Sequence, residues 1–546
     1  MHGAASDRIA NEITWRWSIR QDLSVARHLR EGEEVDGVYG ISAATIVDRL
    51  FCWLEALGLW ERLGAMKGEG VKRQVIAYSR YIVLYFVRCL ARLGSQNALP
   101  THLFSDMALM DRLGFNAQML QEGITHRGAW RRQGPRKNLP LDPEAMSKNI
   151  VKLSLPEVRE LVRWVLKQIW ANLPVMPKKL LGAIDGTFVE VGKSAKGAGR
   201  ASRQSKVRTK EGVKESIDTV FGFKMVWLWE TSVGLPLSVA FGTAEEDEKK
   251  FVAGLLQDAR EVLGEQGRLG TVVVDRGFLS GPGLWALKEA GIRFIIPAKH
   301  DMRVYTDARR IAEQSVSGWR LHVASRERPA MGRARRKGMQ TQGMEVVGVE
   351  GLRSFETYAP AEQVEAGEHR HRHRKDFRTN SLNAVVLMRE DGREKADLVL
   401  LTNGPVDHPF TVFDDYDERS LIENQGHREL KQRWCLESPV QRNAKAAEIH
   451  VLFVVMAYAV TQGYRLWEEA QIRQEEGGEA STLGEYVRKL EKENFDKLIV
   501  FVGETYGIYY AGEFAMLLGV RLKKPNPRGA SNLEELMKRL EGTGGT

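Results

Sequence analysis

Two aspartates lie within or at the end of apolar, β-branched segments of the sequence. Asp185 lies in the run LGAIDGTFVEVG, and Asp275 closes the run GTVVVD directly before Arg276 and Gly277. An acidic residue that follows an apolar strand lies at the carboxyl edge of an open α/β sheet, where such sheets place their functional sites. A single aspartate in this position is more often a turn or a helix cap, so neither residue identifies a site by itself.

A third carboxylate, Glu423, lies in the helical segment YDERSLIENQGHRELKQRW. Tyr416, Arg419 and Glu423 follow one another at spacings of three and four residues, so an α-helix places them on one face, which His427 continues. Arg419 beside Glu423 favours the ionised carboxylate. For this segment alone, a surface helix with an ion pair is the simpler interpretation.

Together the three carboxylates indicate a specific chemistry. Carboxylates that converge on one pocket repel each other by about 4 kcal/mol per pair at ~4 Å and an effective dielectric of about 20, and bound cations relieve that repulsion. Two divalent ions roughly 3.5–4 Å apart activate a water or hydroxyl and stabilise the leaving oxygen of a phosphodiester. Magnesium prefers oxygen ligands of this kind. The three residues therefore predict a two-metal site, provided that the fold brings them together.

The segments around the two aspartates predict a mixed sheet in an α/β architecture, because antiparallel strands come first and strands that alternate with helices follow. The predicted order is three strands (181–192, 219–230, 234–242), a helix (245–264), a strand (270–275), a helix (283–290) and a strand (292–298). A β-rich insertion is expected over 300–410, with strands at 382–389 and 397–402, before helices at 414–434 and 446–470.

Helical periodicity dominates residues 1 to about 170, at 45–63, 75–93 and 156–172. Segment 102–120 predicts two short helices broken near Gly114, and a basic run follows at 125–137. A helical pair beside a basic arm suits DNA binding, although an all-helical packing domain with a solvated loop fits these residues equally well. The tail is polar, with a helix expected at 532–541.

The composition is that of a globular protein with an anionic partner. The 546 residues are 43% hydrophobic and 28% charged, with a formal net charge of +9, which modestly favours nucleic acid. The cysteines are widely spaced, which predicts neither a disulfide framework nor a cysteine zinc site. No signal peptide is indicated, and 75–93 and 451–460 lack the roughly 20 uninterrupted apolar residues of a spanning helix. We expect a cytoplasmic protein that does not contact a membrane.

Three basic stretches are candidate phosphate contacts, each of which would make binding salt-dependent. The first is a loop after the strand that carries Asp185, and the other two lie in the β-rich insertion. A solvated loop is the alternative for any such charge run. The candidate residues are Lys193, Arg200, Arg203, Lys206, Arg208 and Lys210 in the first stretch, Arg333, Arg335, Arg336 and Lys337 in the second, and Arg372 and Arg374 in the third.

In combination, IDGTFVEV, VVVDRGF and YDERSLIENQGHRELKQ resemble the DDE transposases of bacterial insertion sequences, most closely insertion sequence family four. The resemblance covers roughly 100–470. It implies an α/β fold: an RNase H-like mixed sheet interrupted by a β-rich insertion between the second Asp and the Glu, with an N-terminal all-helical domain and a helical C-terminal region.

The resemblance implies that Asp185, Asp275 and Glu423 bind two Mg²⁺ ions, for which Mn²⁺ substitutes. It also implies that Tyr416 and Arg419 contact DNA phosphate near the active site. The family has a lysine seven positions after the Glu, where this chain has Leu430. The remaining candidates for DNA contacts around the motifs are Lys431, His427, Arg428 and Arg276. A tryptophan that follows the Arg in well-known members is Ser420 here.

The implied function is cut-and-paste transposition by a homodimer. The enzyme would bind the terminal inverted repeats of its element, hydrolyse a phosphodiester at each end and join the 3′-hydroxyl ends to target DNA. The expected organisation is a helical DNA-binding domain (1–175), a catalytic core (176–299), the insertion (300–410), the core continued (411–475) and a helical region for dimerisation (476–546).

Three alternatives remain at this point. One is another RNase H-like DNA nuclease or resolvase, and a second is a catalytically inactive, transposase-derived DNA-binding protein. A glycosidase with paired carboxylates is the third, and it accounts poorly for the basic stretches.

Overall fold

The computed structural model describes residues 19–40, 44–71, 76–104, 109–110, 113–115, 141–209, 212–265, 267–314, 320–329, 341–365, 380–390, 398–439, 441–475, 483–524 and 528–542. The chain forms two compact units. The first comprises Met1–Val165, Ser438–Gln441 and Lys445–Thr546, and the second comprises Leu166–Glu437 and Arg442–Ala444.

The strands, numbered in chain order, are β1 (Ile19–Arg20), β2 (Gly37–Gly40), β3 (Leu180–Glu190), β4 (Gly199–Thr209), β5 (Gly212–Glu230), β6 (Leu235–Thr243), β7 (Leu269–Val274), β8 (Arg293–Pro297), β9 (Leu321–Pro329), β10 (Thr341–Leu352), β11 (Leu382–Glu390), β12 (Leu398–Thr402), β13 (Lys497–Val502) and β14 (Thr505–Tyr510).

The helices of the first unit and its borders are α1 (Asp22–Glu31), α2 (Ala44–Ala56), α3 (Leu59–Gly64), α4 (Tyr78–Leu90), α5 (Leu99–His102), α6 (Pro143–Ile150) and α7 (Leu155–Ala171). Those that follow in the chain are α8 (Val252–Leu263), α9 (Gly281–Glu289), α10 (Arg303–Glu313), α11 (Ala361–Glu365), α12 (Pro409–Asp417), α13 (Arg428–Arg433), α14 (Ala444–Glu475), α15 (Leu483–Asn494), α16 (Ala511–Leu517) and α17 (Leu533–Gly542). Short 3₁₀ helices span Gln96–Ala98, Glu248–Phe251 and Arg276–Phe278, and a π-helix spans Ile422–His427.

The second unit contains a large mixed sheet with the strand order β4-β5-β3-β7-β8-β12-β11-β10-β9, and β6 also pairs with β5. β7 is parallel to both β3 and β8, whereas β5 is antiparallel to β3, β4 and β6. The predicted α/β architecture and mixed sheet are confirmed. The residues just before the aspartates are almost wholly buried, with Ile184 at 0% and Val274 at 1% exposure, whereas β3 from Asp185 onwards is mostly half-buried.

The basic stretch after β3 is a β-hairpin and not the predicted loop. β4 and the first half of β5 pair from Gly199 with Gly222 to Thr209 with Gly212. The hairpin forms despite its charges because the ladder uses backbone groups, and charged side chains are typical of a strand at the edge of a sheet. The hairpin was not predicted because its sequence lacks a regular alternation of apolar residues.

The insertion is β-rich, as predicted, and its strands extend the same sheet. β9, β10, β11 and β12 follow one another as antiparallel neighbours. β12 then pairs with β8 through Leu400 and Pro297. After β8 the chain passes through α10 to the far edge of the sheet at β9, and it comes back strand by strand to lie beside β8 before the segment that carries Glu423.

The first unit corrects the prediction of an all-helical N-terminal domain, and it adds two strands to the predicted helical C-terminal region. Its four-stranded sheet has the order β1-β14-β13-β2, so both ends of the chain contribute strands. β1 has 2 residues and β2 has 4, which is too short for a periodic signal in sequence. β1 pairs with β14 and β2 pairs with β13, and both partners lie far along the chain.

The core helix of the first unit is α14. By length and composition it is apolar enough to cross a membrane, but 83% of its most apolar stretch is buried inside the fold. It also carries polar residues with partners: the Tyr85 hydroxyl lies 2.6 Å from Nδ1 of His450, and Arg159 donates from Nε to Glu448 over 2.7 Å. Those contacts are typical of a buried helix in a globular unit.

Candidate active site

Asp185 and Asp275 occupy equivalent places on neighbouring parallel strands. Ile184 on β3 is paired with Val274 on β7, and each is followed by its aspartate. Neighbouring strands lie about 4.8 Å apart, so the pairing brings two carboxylates, 90 positions apart in sequence, to one edge of the sheet.

The backbone fixes one oxygen of each aspartate. Oδ1 of Asp185 accepts from the Gly186 N–H over 2.9 Å. Asp275 is the N-cap of the 3₁₀ helix Arg276–Phe278, and its Oδ1 accepts from the Gly277 N–H. A Cβ on residue 277 would lie 2.9 Å from that oxygen, so glycine is the residue that leaves the carboxylate in place.

Glu423 lies in a π-helix, where sequence analysis predicted a regular α-helix over 414–434. α12 ends at Asp417, and the π-helix begins at Ile422. π-turns have i→i+5 hydrogen bonds, so each accommodates one residue more than an α-turn, and they recur at functional sites. Nη1 of Arg419 donates to Oε1 of Glu423 over 2.6 Å.

Tyr416 precedes this pair on α12. The Arg419 guanidinium carbon lies 5.9 Å from the centroid of the Tyr416 ring. Burial raises the pKa of the Tyr416 hydroxyl, an effect that Arg419 opposes. Tyr416, Arg419 and Glu423 are thus close together, as their spacing predicted.

His427, at the end of the π-helix, contacts Asp185. Its Nε2 lies 3.3 Å from Oδ2 of Asp185, and its ring stacks on Trp227 at a centroid distance of 5.7 Å. His427 is 7% exposed. A Cβ on the preceding Gly426 would lie 2.6 Å from the Trp227 ring, so only glycine permits this approach.

The positions after Glu423 range from fully buried through half-buried to exposed. Leu430 is fully buried. Nζ of Lys431 lies 3.0 Å from Oε1 of Glu437, and Arg428 donates to Gln432 over 3.2 Å. The proposed phosphate contacts of Lys431 and Arg428 stay predictions.

A fourth carboxylate, which sequence analysis missed, lies at the same edge. A Cβ on Gly186 would lie 2.7 Å from Oε1 of Glu248, and the buried Lys224 on β5 lies 3.2 Å from that oxygen. Burial raises the pKa of the Glu248 carboxyl group, Lys224 opposes the rise, and the charges of Asp185 and Asp275 add to it. The available signal was Lys224 itself, because a lone lysine in the apolar strand FGFKMVWLWE requires a partner.

The basic residues fall into three groups. Arg276, Lys193 and Arg200 are exposed, and Lys193 lies 5.5 Å from the centroid of the Phe221 ring. Arg203, Lys206 and Arg208 lie on β4. The remaining candidates lie outside the described residues: Lys210, Arg333, Arg335, Arg336, Lys337, Arg372 and Arg374.

The donor set suits a magnesium ion completed by other ligands. Within the described part of the chain, no group of three or more His, Cys, Asp or Glu side chains is arranged to hold an ion by itself. Asp185 and Asp275 supply two carboxylates, while Glu423 pairs with Arg419. Mg²⁺ usually keeps several waters and is bound through one or two carboxylates plus substrate phosphates, and the two aspartates fit that pattern.

Comparison with known proteins places the chain in a family. Residues 176–460, just over half of the chain, match the model of the transposase DDE domain. The chain therefore belongs to the DDE transposases, as the sequence motifs indicated. The matched stretch contains Asp185, Asp275 and Glu423.

One solved structure that the chain resembles weakly is the cryo-EM structure of the piggyBac transposase synaptic complex with hairpin DNA. The two are 11% identical, with a TM-score of 0.34 over 87% of this chain and 80% of the other. A TM-score this low supports no inference about the present chain. No curated protein matches it.

Proposed function

We propose that this DDE transposase cuts DNA at the ends of its own element and joins the freed 3′-hydroxyls to target DNA, with Asp185, Asp275 and Glu423 as its catalytic carboxylates. The observation that carries the proposal is the pairing of Ile184 with Val274, which sets two aspartates side by side at one sheet edge. A bacterial element of the insertion sequence four type is the source that the motifs favour.

The core is proposed to be RNase H-like. In support, β3 is central, two antiparallel strands (β5, β6) lie to one side, and two parallel strands (β7, β8) lie to the other. α8 precedes β7 in the chain and α9 precedes β8. α9 is thus the crossover that the parallel neighbours β7 and β8 require, and α8 leads from β6 across to β7.

Asp185 and Asp275 would hold divalent cations, with Glu423 as the third carboxylate once it leaves Arg419. Mg²⁺ or Mn²⁺, two ions per site, would supply an activated hydroxyl and charge neutralisation on the leaving oxygen. Arg419 would then be available for a DNA phosphate, for which its planar fork suits bidentate contact. Tyr416 limits the space beside that guanidinium.

Lys431 is proposed to fill the role of the family's lysine. A π-turn contains one residue more than an α-turn. Because Ile422–His427 is such a turn, the eighth residue after Glu423 takes the angular place of the seventh on an uninterrupted α-helix. Leu430, which has the family's spacing, is fully buried. Glu437 would release Lys431 when DNA binds.

DNA is proposed to lie along the basic side of this unit. The β4–β5 hairpin is continuous with the strand opposite Asp185, Arg200 and Lys193 are exposed beside it, and Arg276 is exposed next to Asp275. The terminal inverted repeats and the target DNA would be the partners of a homodimer that acts in the cytoplasm.

The test uses end DNA, a duplex made from the sequence that borders the coding region on either side. Asp275→Ala and Glu423→Ala proteins should bind end DNA as the wild type does and should not cut it with Mg²⁺ or Mn²⁺. Asp301→Ala, which removes an exposed carboxylate from the same unit, is the matched control and should cut normally.

Cutting that survives either substitution would refute the site assignment. Equal cutting of unrelated duplexes would instead favour a nuclease or resolvase that does not recognise element ends.

A further inference from the structure

His427 is held in an aromatic stack beneath the sheet edge. Trp227, on which it stacks at an interplanar angle of 29°, is fully buried and itself stacks on Trp229 at 6.4 Å. The ring of His427 therefore has little freedom to turn, and a ring that is 7% exposed presents almost no surface to a DNA phosphate.

The strand register sets where this stack lies. Trp227 on β5 is the cross-strand partner of Asp185 on β3. Directly opposed residues of antiparallel strands project to the same face with Cβ atoms about 5 Å apart. A ring stacked on Trp227 consequently lies beside the Asp185 carboxylate, and the 3.3 Å separation from Nε2 to Oδ2 records that proximity.

Both oxygens of Asp185 are thus faced by a nitrogen. Oδ1 accepts from the Gly186 N–H, and Oδ2 faces His427. Neither ring nitrogen of His427 is aligned for a hydrogen bond in this structure. Nε2 and Oδ2 are nevertheless within hydrogen-bond distance of each other, and burial of a ring nitrogen that has no other hydrogen-bond partner favours a bond between them.

We propose that His427 is a positioning residue for Asp185. It orients the carboxylate and, through the π-helix that it terminates, fixes the position of Glu423 relative to Asp185. His427 therefore acts on the geometry of the proposed catalytic carboxylates and does not contribute to DNA binding. The inference rests on the proposed function, since it concerns the same site.

Two substitutions separate this role from others. His427→Phe keeps a ring to stack on Trp227 and removes Nε2, and His427→Gln restores an amide donor without the ring. Removal of a group that orients a metal ligand typically costs about 10–100-fold in affinity or activity. We expect the Phe protein to lose about that factor in kcat for cutting end DNA, with KM and DNA affinity unchanged, and the Gln protein to recover part of it.

A readout other than activity is the affinity for Mn²⁺ alone, measured by electron paramagnetic resonance without DNA. It should weaken for His427→Phe and recover for His427→Gln. The matched control is His322→Phe, because His322 lies at the same 3.3 Å from a carboxylate, that of Glu350, elsewhere in the unit. Neither Mn²⁺ affinity nor kcat should change in the control.

Gly426→Ala provides a second test that leaves His427 and Asp185 chemically intact. Its Cβ would push the π-helix away from Trp227, and the same loss of kcat at constant DNA affinity is expected. If His427→Phe does not fold, the kcat and DNA affinity of Gly426→Ala test the proposal in its place.

The proposal is overturned if His427→Phe retains the wild-type kcat and Mn²⁺ affinity. It is equally overturned if that variant loses DNA affinity at constant kcat, because a phosphate contact would then be the role. A wild-type protein that cuts no end DNA would refute the proposed function, yet the Mn²⁺ comparison would still test His427.

Discussion

Arg419 donates from Nη1 to Oε1 of Glu423 over 2.6 Å, across the turn where α12 gives way to the π-helix. The Arg419 side chain is 17% exposed and that of Glu423 is 50% exposed. The arginine is thus held in the fold, while the carboxylate can reach solvent and exchange partners.

Arg419→Ala should lower the rate of DNA cutting by about 10²–10³, the usual effect of removing one donor that faces developing negative charge. Arg419→Lys should recover little, because an ammonium lacks the planar fork. Single-turnover cutting of end DNA measures both. If the lysine protein cuts like the wild type, charge alone is what the site requires.

Gly277→Ala should impair chemistry without unfolding the protein. The new Cβ lies 2.9 Å from Oδ1 of Asp275 and displaces the carboxylate. A misplacement of ~1 Å can cost about 10²-fold in rate. Gly254→Ala on α8, where a Cβ meets nothing within 4 Å, is the control and should leave cutting unchanged. Thermal unfolding should be similar for both variants; a large loss of stability in the Gly277 variant alone would contradict a local effect.

Lys224→Met should destabilise the cation-free protein in a pH-dependent manner. The pKa of Glu248 is raised above 4.5 in the folded state by burial, and loss of Lys224 removes a group that lowers it. A raised carboxyl pKa gives stability that is present below the unfolded pKa and lost as the pH rises through the folded pKa. The loss of unfolding free energy in the Lys224→Met protein should therefore be absent near pH 4 and complete at neutral pH.

At neutral pH we expect Lys224→Met to lower the free energy of unfolding by about 1–3 kcal/mol, the cost of a buried group left without its partner. The loss of one member of a fully buried pair would cost more, but Glu248 is 27% exposed. Urea denaturation at both pH values measures it. Lys249→Met, whose exposed partner is Asp247 at 3.6 Å, should cost under about 1 kcal/mol. An equal loss at both pH values would show that packing, and not charge, is responsible.

Lys431→Ala should weaken binding of end DNA and reduce the salt slope by about 1, as expected for one lost phosphate contact. Titrations at several salt concentrations measure the slope. Lys288→Ala, which removes a lysine packed 3.7 Å from the Trp285 ring centroid, should leave it unchanged. An unaltered slope for Lys431→Ala would mean that its ion pair with Glu437 is purely structural.

The carboxylates that we propose as catalytic could be picked out because each lies in a strongly patterned segment. The run TVVV before Asp275 has the composition of a buried strand, and Tyr416, Arg419 and Glu423 have helical spacing. The sequence did not reveal that the helix around Glu423 contains a π-turn, which has one residue more than a regular α-turn. A π-turn has no periodic signature of its own, and its only traces are Gly426 and the displacement of the basic residue from 430 to 431.

Glu248, β1 and β2 escaped prediction for different reasons. Glu248 begins a 3₁₀ helix in the charged run EEDEKK, which has the composition of a solvated surface, and only the fold turns it towards Gly186. β1 and β2 depend on partners at the far end of the chain. Tertiary pairing of this kind overrides local preference.

The return of the chain to β8 has a consequence for the diversification of such enzymes. The segment between β8 and β12 starts and ends on adjacent strands, joined through Pro297 and Leu400. The two ends of this segment are therefore held at the spacing of neighbouring strands, about 4.8 Å, whatever length of chain lies between them. Variants of the segment that differ only in length keep these ends, whereas a variant that loses Arg326 on β9 also loses its ion pair with Asp414 on α12, the helix before Glu423.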